Sequence, residues 1–274
     1  MNAMFFVSEK KKTLNMKTID KVSIWIAVWN NANLLGNTLY SLSLQKTDFP
    51  FELCIVDDYS DINPEPIVRK YFPKAKFLRL PNHVGFNFAQ SYCFDLANEN
   101  LDVVLMQTAD IIYTTKNIVN DLCHGVGEKI ISFPEVIDIP TPENMTPKEF
   151  NDRIDHCLNN WNRFIHYRKA NIDGIIFEIS TKYVGEGSWL FFSGAIRRDD
   201  LEYMGYNASS PICDGILHYN LRVCGFVANI MPSLKVIHQR HPKTAYPCTI
   251  IESCPIHCLR KNKKYIAGTK TPYN

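Results

Sequence analysis

The chain has 274 residues, of which 46% are hydrophobic and 21% charged. That balance excludes a disordered chain, a collagen and a coiled coil, and a chain of this length can bury a core without staples. Lysine and arginine total 30 against 28 aspartate and glutamate, a net charge of +2, too small to argue for a nucleic-acid partner.

The basic clusters Lys10–Lys12 and Arg260–Lys264 read as solvated tails. Nine cysteines lie scattered in mostly apolar surroundings such as Leu53-Cys54-Ile55, which reads as reduced thiols. The opening segment runs from apolar residues to lysines, the reverse of a secretory signal. Together these features predict a cytoplasmic protein. The longest apolar runs, such as Val22–Val28 and Val103–Met106, fall short of the roughly 20 residues needed to span a bilayer. No integral membrane segment is therefore expected.

In chain order, residues 22–29 form a short apolar run suited to a buried strand. Leu35, Leu39 and Leu42 then share one face of a helix. FELCIVDD predicts a second strand, PEPIVRKYF a short helix and KFLRL a third strand. PNHVGFNFAQSYCFDLANEN leads from a loop into a helix, and LDVVLMQTAD predicts a fourth strand with a polar end. Strands and helices alternate, and the strands are apolar on both sides. The fold class read from this is α/β: a mostly parallel central sheet flanked by helices, with a Rossmann-like N-terminal half.

The second half is less regular. KIISFPEVIDI predicts a strand, and Phe150, Ile154, Leu158 and Trp161 predict a helix running from Lys148 to Lys169. IDGIIFEI and SWLFFSGAI read as strands, residues 212–226 as a helix closed by Gly225, and FVANIMPSLKVIH as a pair of strands.

In such sheets, ligands bind beyond the carboxyl ends of the strands. Those ends carry Ala27-Val28-Trp29-Asn30, Asp57-Asp58-Tyr59-Ser60 and Thr108-Ala109-Asp110, and Asn82-His83-Val84-Gly85-Phe86 precedes the third helix. There is no GxGxxG after the first strand and no GxxxxGK[ST] in the chain. Carboxylates and amides on this rim can accept from a nucleobase or a ribose, or hold a divalent cation that holds a diphosphate.

Three segments resemble inverting glycosyltransferases of family 2, which have the GT-A fold (the fold of nucleotide-diphospho-sugar transferases). Ile26-Ala27-Val28-Trp29-Asn30 resembles the family's strand followed by Pro/Ala-x-Tyr-Asn. Val56-Asp57-Asp58-Tyr59-Ser60 resembles its Val-Asp-Asp-x-Ser, and Asn82 to Ala89 its Asn-x-Gly-Phe-x-x-Ala. Thr108-Ala109-Asp110 stands where the family has Asp-x-Asp, with only the second carboxylate kept. Cys213-Asp214, with Leu217 and Gly225 beyond it, stands where the family has an acidic pair opening a helix, and His238 where many members have a late histidine.

The resemblance spans residues 22–242. It implies a transferase domain at 21–242, with a nucleotide-sugar half at 21–112 and an acceptor half at 113–242. A leader at 1–20 and an extension at 243–274 flank it. It implies transfer of a sugar from a nucleotide-diphosphate sugar, a UDP-sugar first, to a hydroxyl of a glycan or other acceptor. Asp214 is the implied base. Asp110 and His238 are the implied ligands of Mn²⁺ or Mg²⁺. Ala27, Trp29, Asn30, Asp57, Asp58, Asn82, Gly85, Phe86, Thr108 and Ala109 are the implied donor contacts, with Trp29 stacking on the base and Asp57 and Asp58 accepting from base and ribose. The replaced acids at Thr108 and Cys213 leave a second reading open, a non-catalytic nucleotide or sugar binder on a degenerate transferase scaffold. Cys248, Cys254, His257 and Cys258 match no zinc spacing.

Overall fold

The computed structural model describes residues 18–161, 167–172, 175–180, 193–204, 206 and 224–240. Three βα units open it: β1 (Val22–Val28), α1 (Ala32–Ser43), β2 (Phe51–Asp57), α2 (Glu65–Tyr71), β3 (Lys76–Arg79) and α3 (Phe86–Leu96). β4 (Val103–Thr108), β5 (Ile111–Tyr113), α4 (Ile118–His124), β6 (Ile130–Pro140) and α5 (Pro147–Asn159) follow. A separate hairpin, β7 (Tyr167–Ile172) and β8 (Ile175–Ser180), precedes β9 (Gly194–Arg197), α6 (Arg198–Tyr203) and β10 (Val227–Arg240).

The central sheet has eight strands in the order β3-β2-β1-β4-β9-β6-β10-β5. β1 pairs in parallel with β2 and β4, β2 with β3, and β6 with β10. β9 is antiparallel to β4 and β6, and β5 to β10. The expected mostly parallel sheet flanked by helices is thus the fold observed.

Alternation along β1 explains the layers. Val22, Ile24, Ile26 and Val28 face a core shared with Leu35, Leu39 and Leu42 of α1, Val68 of α2 and Leu122 of α4. Trp25 and Ala27 face the opposite core, with Ala89 and Cys93 of α3 and Leu201 of α6. A strand covered on both faces must be apolar at every position, and the unbroken run from Ile24 to Val28 is that pattern. A third cluster seats Phe150, Ile154 and Cys157 of α5 against Ile112, Ile137, Ile139 and Ile237.

The second half departs from the sequence reading in four places. The helix expected from Lys148 to Lys169 stops at Asn159, and Tyr167, Arg168 and Lys169 belong to β7. α5 starts at a capping box: Glu149 N–H donates to Thr146 Oγ1 at 3.3 Å, and Thr146 N–H donates to Glu149 Oε2 at 2.8 Å. Residues 227–240 are one strand rather than two. Its register against β6 skips between Met231 and Lys235, because Pro232 has no N–H to donate and the chain bulges around it. β5 and α4 were not expected; β5 is only three residues long, too short to show a period. α6 was also not expected. Asp214 and the helix expected around it, the leader before residue 18 and the cysteines at 248, 254 and 258 lie outside the described residues. Of the cysteines described, Cys54, Cys93, Cys123, Cys157 and Cys224 are free thiols.

Candidate functional site

Parallel registry sets the rim. Val28 lies beside Asp57, and Ala27 beside Thr108. The chain therefore leaves β1, β2 and β4 at one level, bringing Trp29, Asp58 and Asp110 to the same edge of the sheet.

The two aspartates after β2 face inward. Asp57 is fully buried; its Oδ1 accepts from Ser60 N–H at 3.1 Å and its Oδ2 pairs with Arg79 at 3.0 Å. Asp58 is also fully buried. Its Oδ1 accepts from Val84 N–H at 2.7 Å, and its Oδ2 accepts from Gly85 N–H at 2.9 Å and pairs with His83 Nδ1 at 2.8 Å. Burial pushes the Asp58 carboxyl above its usual range, against the pull of these N–H donors and of His83. With these partners, both carboxylates shape the loops after β2 and β3.

Gly85 takes φ 94° and ψ 154°, a region open in practice to glycine alone. That conformation lets its N–H reach Asp58 while its carbonyl receives Ala89 N–H in the first turn of α3, at 3.0 Å. Asn82 is exposed and Phe86 is half-buried as the first residue of α3.

Trp29 is half-buried and stacks on His83, with ring centroids 4.5 Å apart and planes 25° from parallel. Asn30, at φ 52°, donates its N–H to Ser60 Oγ at 2.9 Å and accepts from Asp61 N–H at 2.7 Å. It locks the loop after β1 to the loop after β2. Ala27 and Ala109 are buried. Ala27 N–H donates to Gln90 Oε1 at 2.9 Å, and the Ala109 carbonyl accepts from Thr38 Oγ1 at 2.9 Å. His83 was missed by the sequence reading: it stands at a variable position of its motif, and only the fold shows that it joins Asp58 to Trp29.

β5 turns back from β4 and pairs with β10, His238 opposite Ile111. This brings His238 Nε2 to 3.3 Å from Asp110 Oδ1. Burial, the largest influence, would raise the Asp110 carboxyl, but His238 beside it, together with hydrogen bonds from His238, the Thr108 hydroxyl and the backbone, holds it below the usual range. Thr108 Oγ1 is buried next to this pair. The structure thus brings together Asp110 and His238, which the sequence pairs only by resemblance. These two donor types suit Mn²⁺ or Mg²⁺ held jointly with a diphosphate. Among the described residues no cluster of three or more His, Cys, Asp or Glu could hold a metal without such help. No helix among them is long and apolar enough to cross a membrane.

Residues 23–127 match the family described as Glycosyl transferase family 2. The chain is 31% identical over 116 residues to the chondroitin synthase of Pasteurella multocida (strain Pm70), a match covering 40% of this chain. It spans only 12% of that relative's length. Solved structures share the fold. The mannosyltransferase PcManGT from Pyrobaculum calidifontis, in complex with GDP-Man and Mn²⁺, superposes with TM-score 0.51 at 18% identity, over 91% of this chain and 68% of that one. GalNAc-T7 with UDP, GalNAc and Mn²⁺ gives 0.52 at 13% identity, over 82% and 44%. TarS from S. aureus in complex with UDP-GlcNAc gives 0.52 at 14% identity, over 82% and 60%.

Proposed function

We propose that this chain, whose residues 23–127 match the family described as Glycosyl transferase family 2, moves a sugar from a nucleotide-diphosphate donor to an acceptor hydroxyl with inversion. A UDP-sugar is the proposed donor, a glycan or other hydroxyl-bearing molecule the proposed acceptor, and the cytoplasm the proposed compartment. The proposed unit is residues 21–242, with donor binding in 21–112 and acceptor binding in 113–242. The observation that carries the reading is the meeting of Asp110 and His238 at 3.3 Å, on the rim where β1, β2 and β4 end.

Each residue's part follows from its chemistry. Trp29, held by His83, is the platform for the base. Asn82, Phe86 and Thr108 line the donor's path, while Asn30, Asp57, Asp58 and Gly85 hold the loops that form the pocket. Asp110 and His238 would hold Mn²⁺ or Mg²⁺, with the imidazole favouring Mn²⁺. A cation held there would supply positive charge to stabilise the leaving diphosphate. Asp214 is the proposed base that takes the proton from the acceptor hydroxyl. Holding donor and acceptor in line turns a two-body encounter into a reaction within one complex.

The test is Asp110→Ala, titrated calorimetrically with UDP and with GDP, each with and without Mn²⁺. The expected result is loss of the metal-dependent part of the affinity with an unchanged melting temperature. Metal-dependent affinity equal to wild type would remove Asp110 from the site.

A further inference from the structure

Beneath Asp110 and His238 lies a polar cluster that none of the transfer chemistry above uses. Asn37 and Thr38 stand in the middle of α1 and Gln239 in β10, and all three are buried, with Gln239 and Thr38 at 0% exposure. Gln239 Nε2 donates to Thr38 Oγ1 and to the Leu34 carbonyl, each at 3.2 Å. Thr38 Oγ1 donates to the Ala109 carbonyl at 2.9 Å. Asn37 Nδ2 donates to Gln239 Oε1 at 2.8 Å and to the Pro142 carbonyl at 3.0 Å, while Asn37 Oδ1 accepts from Met145 N–H at 3.2 Å. Gln239 N–H donates to the Asp110 carbonyl at 2.8 Å.

For packing alone, this is a poor choice of residues. Each amide and hydroxyl gives up its water, and its bonds inside return little net stability. Apolar residues of similar size would hold α1 to the sheet at least as well. What the polar groups add is direction. Thr38 grips the carbonyl of the residue before Asp110, and Gln239 is the residue after His238. Asp110 leaves the end of β4, whereas His238 arrives on β10 from the far end of the chain, and no strand pairing joins β4 to β10.

We infer that Asn37, Thr38 and Gln239 are positioning residues that set the spacing of Asp110 and His238 for the cation–diphosphate group of the donor. The inference rests on the reading of that pair given above. The three residues touch neither donor nor cation; they act through the backbone at Ala109 and Asp110. Outer partners of this kind typically govern metal affinity by roughly 10–100-fold.

The test uses the full chain and Mn²⁺ with UDP as the probe, with GDP in parallel. Free Mn²⁺ is followed by its electron paramagnetic resonance signal, well below the melting temperature of each variant. Thr38→Val removes the hydroxyl at nearly constant volume, Thr38→Ser restores it, and Gln239→Glu removes the amide donors at constant shape. Thr38→Val and Gln239→Glu are expected to weaken Mn²⁺ binding by about tenfold or more, with Thr38→Ser within about threefold of wild type. Nucleotide affinity in EDTA is expected to stay at the wild-type value in all three. Lower melting temperatures with wild-type Mn²⁺ affinity would overturn the inference and leave the cluster as scaffold. Should Thr38→Val fail to fold, Gln239→Glu decides alone. Wild-type protein without Mn²⁺-dependent nucleotide binding would overturn the cation reading, and the inference with it.

Discussion

Replacing Asp58 with asparagine tests the idea that this buried carboxylate builds the donor pocket. Its two oxygens receive Val84 N–H at 2.7 Å and Gly85 N–H at 2.9 Å, with His83 Nδ1 at 2.8 Å. Asparagine keeps the shape but offers one oxygen and one NH₂. One of the two backbone N–H groups then faces another donor. A hydrogen bond to a charged acceptor contributes roughly 1.5–3 kcal/mol, and a stranded buried donor costs roughly 1–3 kcal/mol. Part of this is offset, because burial already disfavours the charged form of Asp58. A net loss of about 2–4 kcal/mol, at about 2–4 °C per kcal/mol, lowers the melting temperature by roughly 5–15 °C. Calorimetric melts of Asp58→Asn, His83→Ala and the double variant separate the imidazole's share from that of the backbone donors. Hydrogen exchange at Val84 and Gly85 should accelerate in the Asp58 variant, and nucleotide affinity should fall with it. A melting temperature within about 2 °C of wild type, with both amides still protected, would refute the reasoning.

Gly85→Ala should destabilise by about 1–3 kcal/mol, since alanine resists the backbone angles at this position, and urea denaturation at constant slope would register the loss. Asp214→Asn should leave donor affinity intact and lower kcat by roughly 10²–10⁴, the range for losing a general base; retention of more than about a tenth of wild-type kcat would move the base elsewhere. Native alkylation at pH 8 followed by peptide mass analysis should spare Cys54, whose thiol burial pushes up to about 12, together with the buried Cys93 and Cys123, while half-buried Cys224 reacts.

The first half of the fold was legible because its central strands, β1 and β4, are short, mostly apolar and bounded by turn residues. Those features reflect burial on both faces, as at Ile24 to Val28. The segment 227–240 misled for a physical reason: Pro232 looks like a strand end, yet a bulge lets the ladder resume at Lys235. The site was legible as a set of strand-end residues, but not in the direction those residues face. Asp57 and Asp58 stand out as acids after a strand, but only the fold shows which donors of their own chain surround them. His83, Thr38 and Gln239 carried no local signal. Their parts depend on which chain segments meet, and spacing along the sequence does not encode that.

The pairing of β10 also bears on the order in which the protein is made. β1 to β4 can assemble from neighbouring βα units, each closing a short loop. β5 gains its sheet neighbour, and Asp110 its histidine, only when residues 236–238 arrive. A chain emerging from the ribosome can therefore fold β1 to β4 well before His238 is available to meet Asp110. The Asp110–His238 pair closes last, so a partly synthesised copy lacks the feature on which the proposed cation site depends.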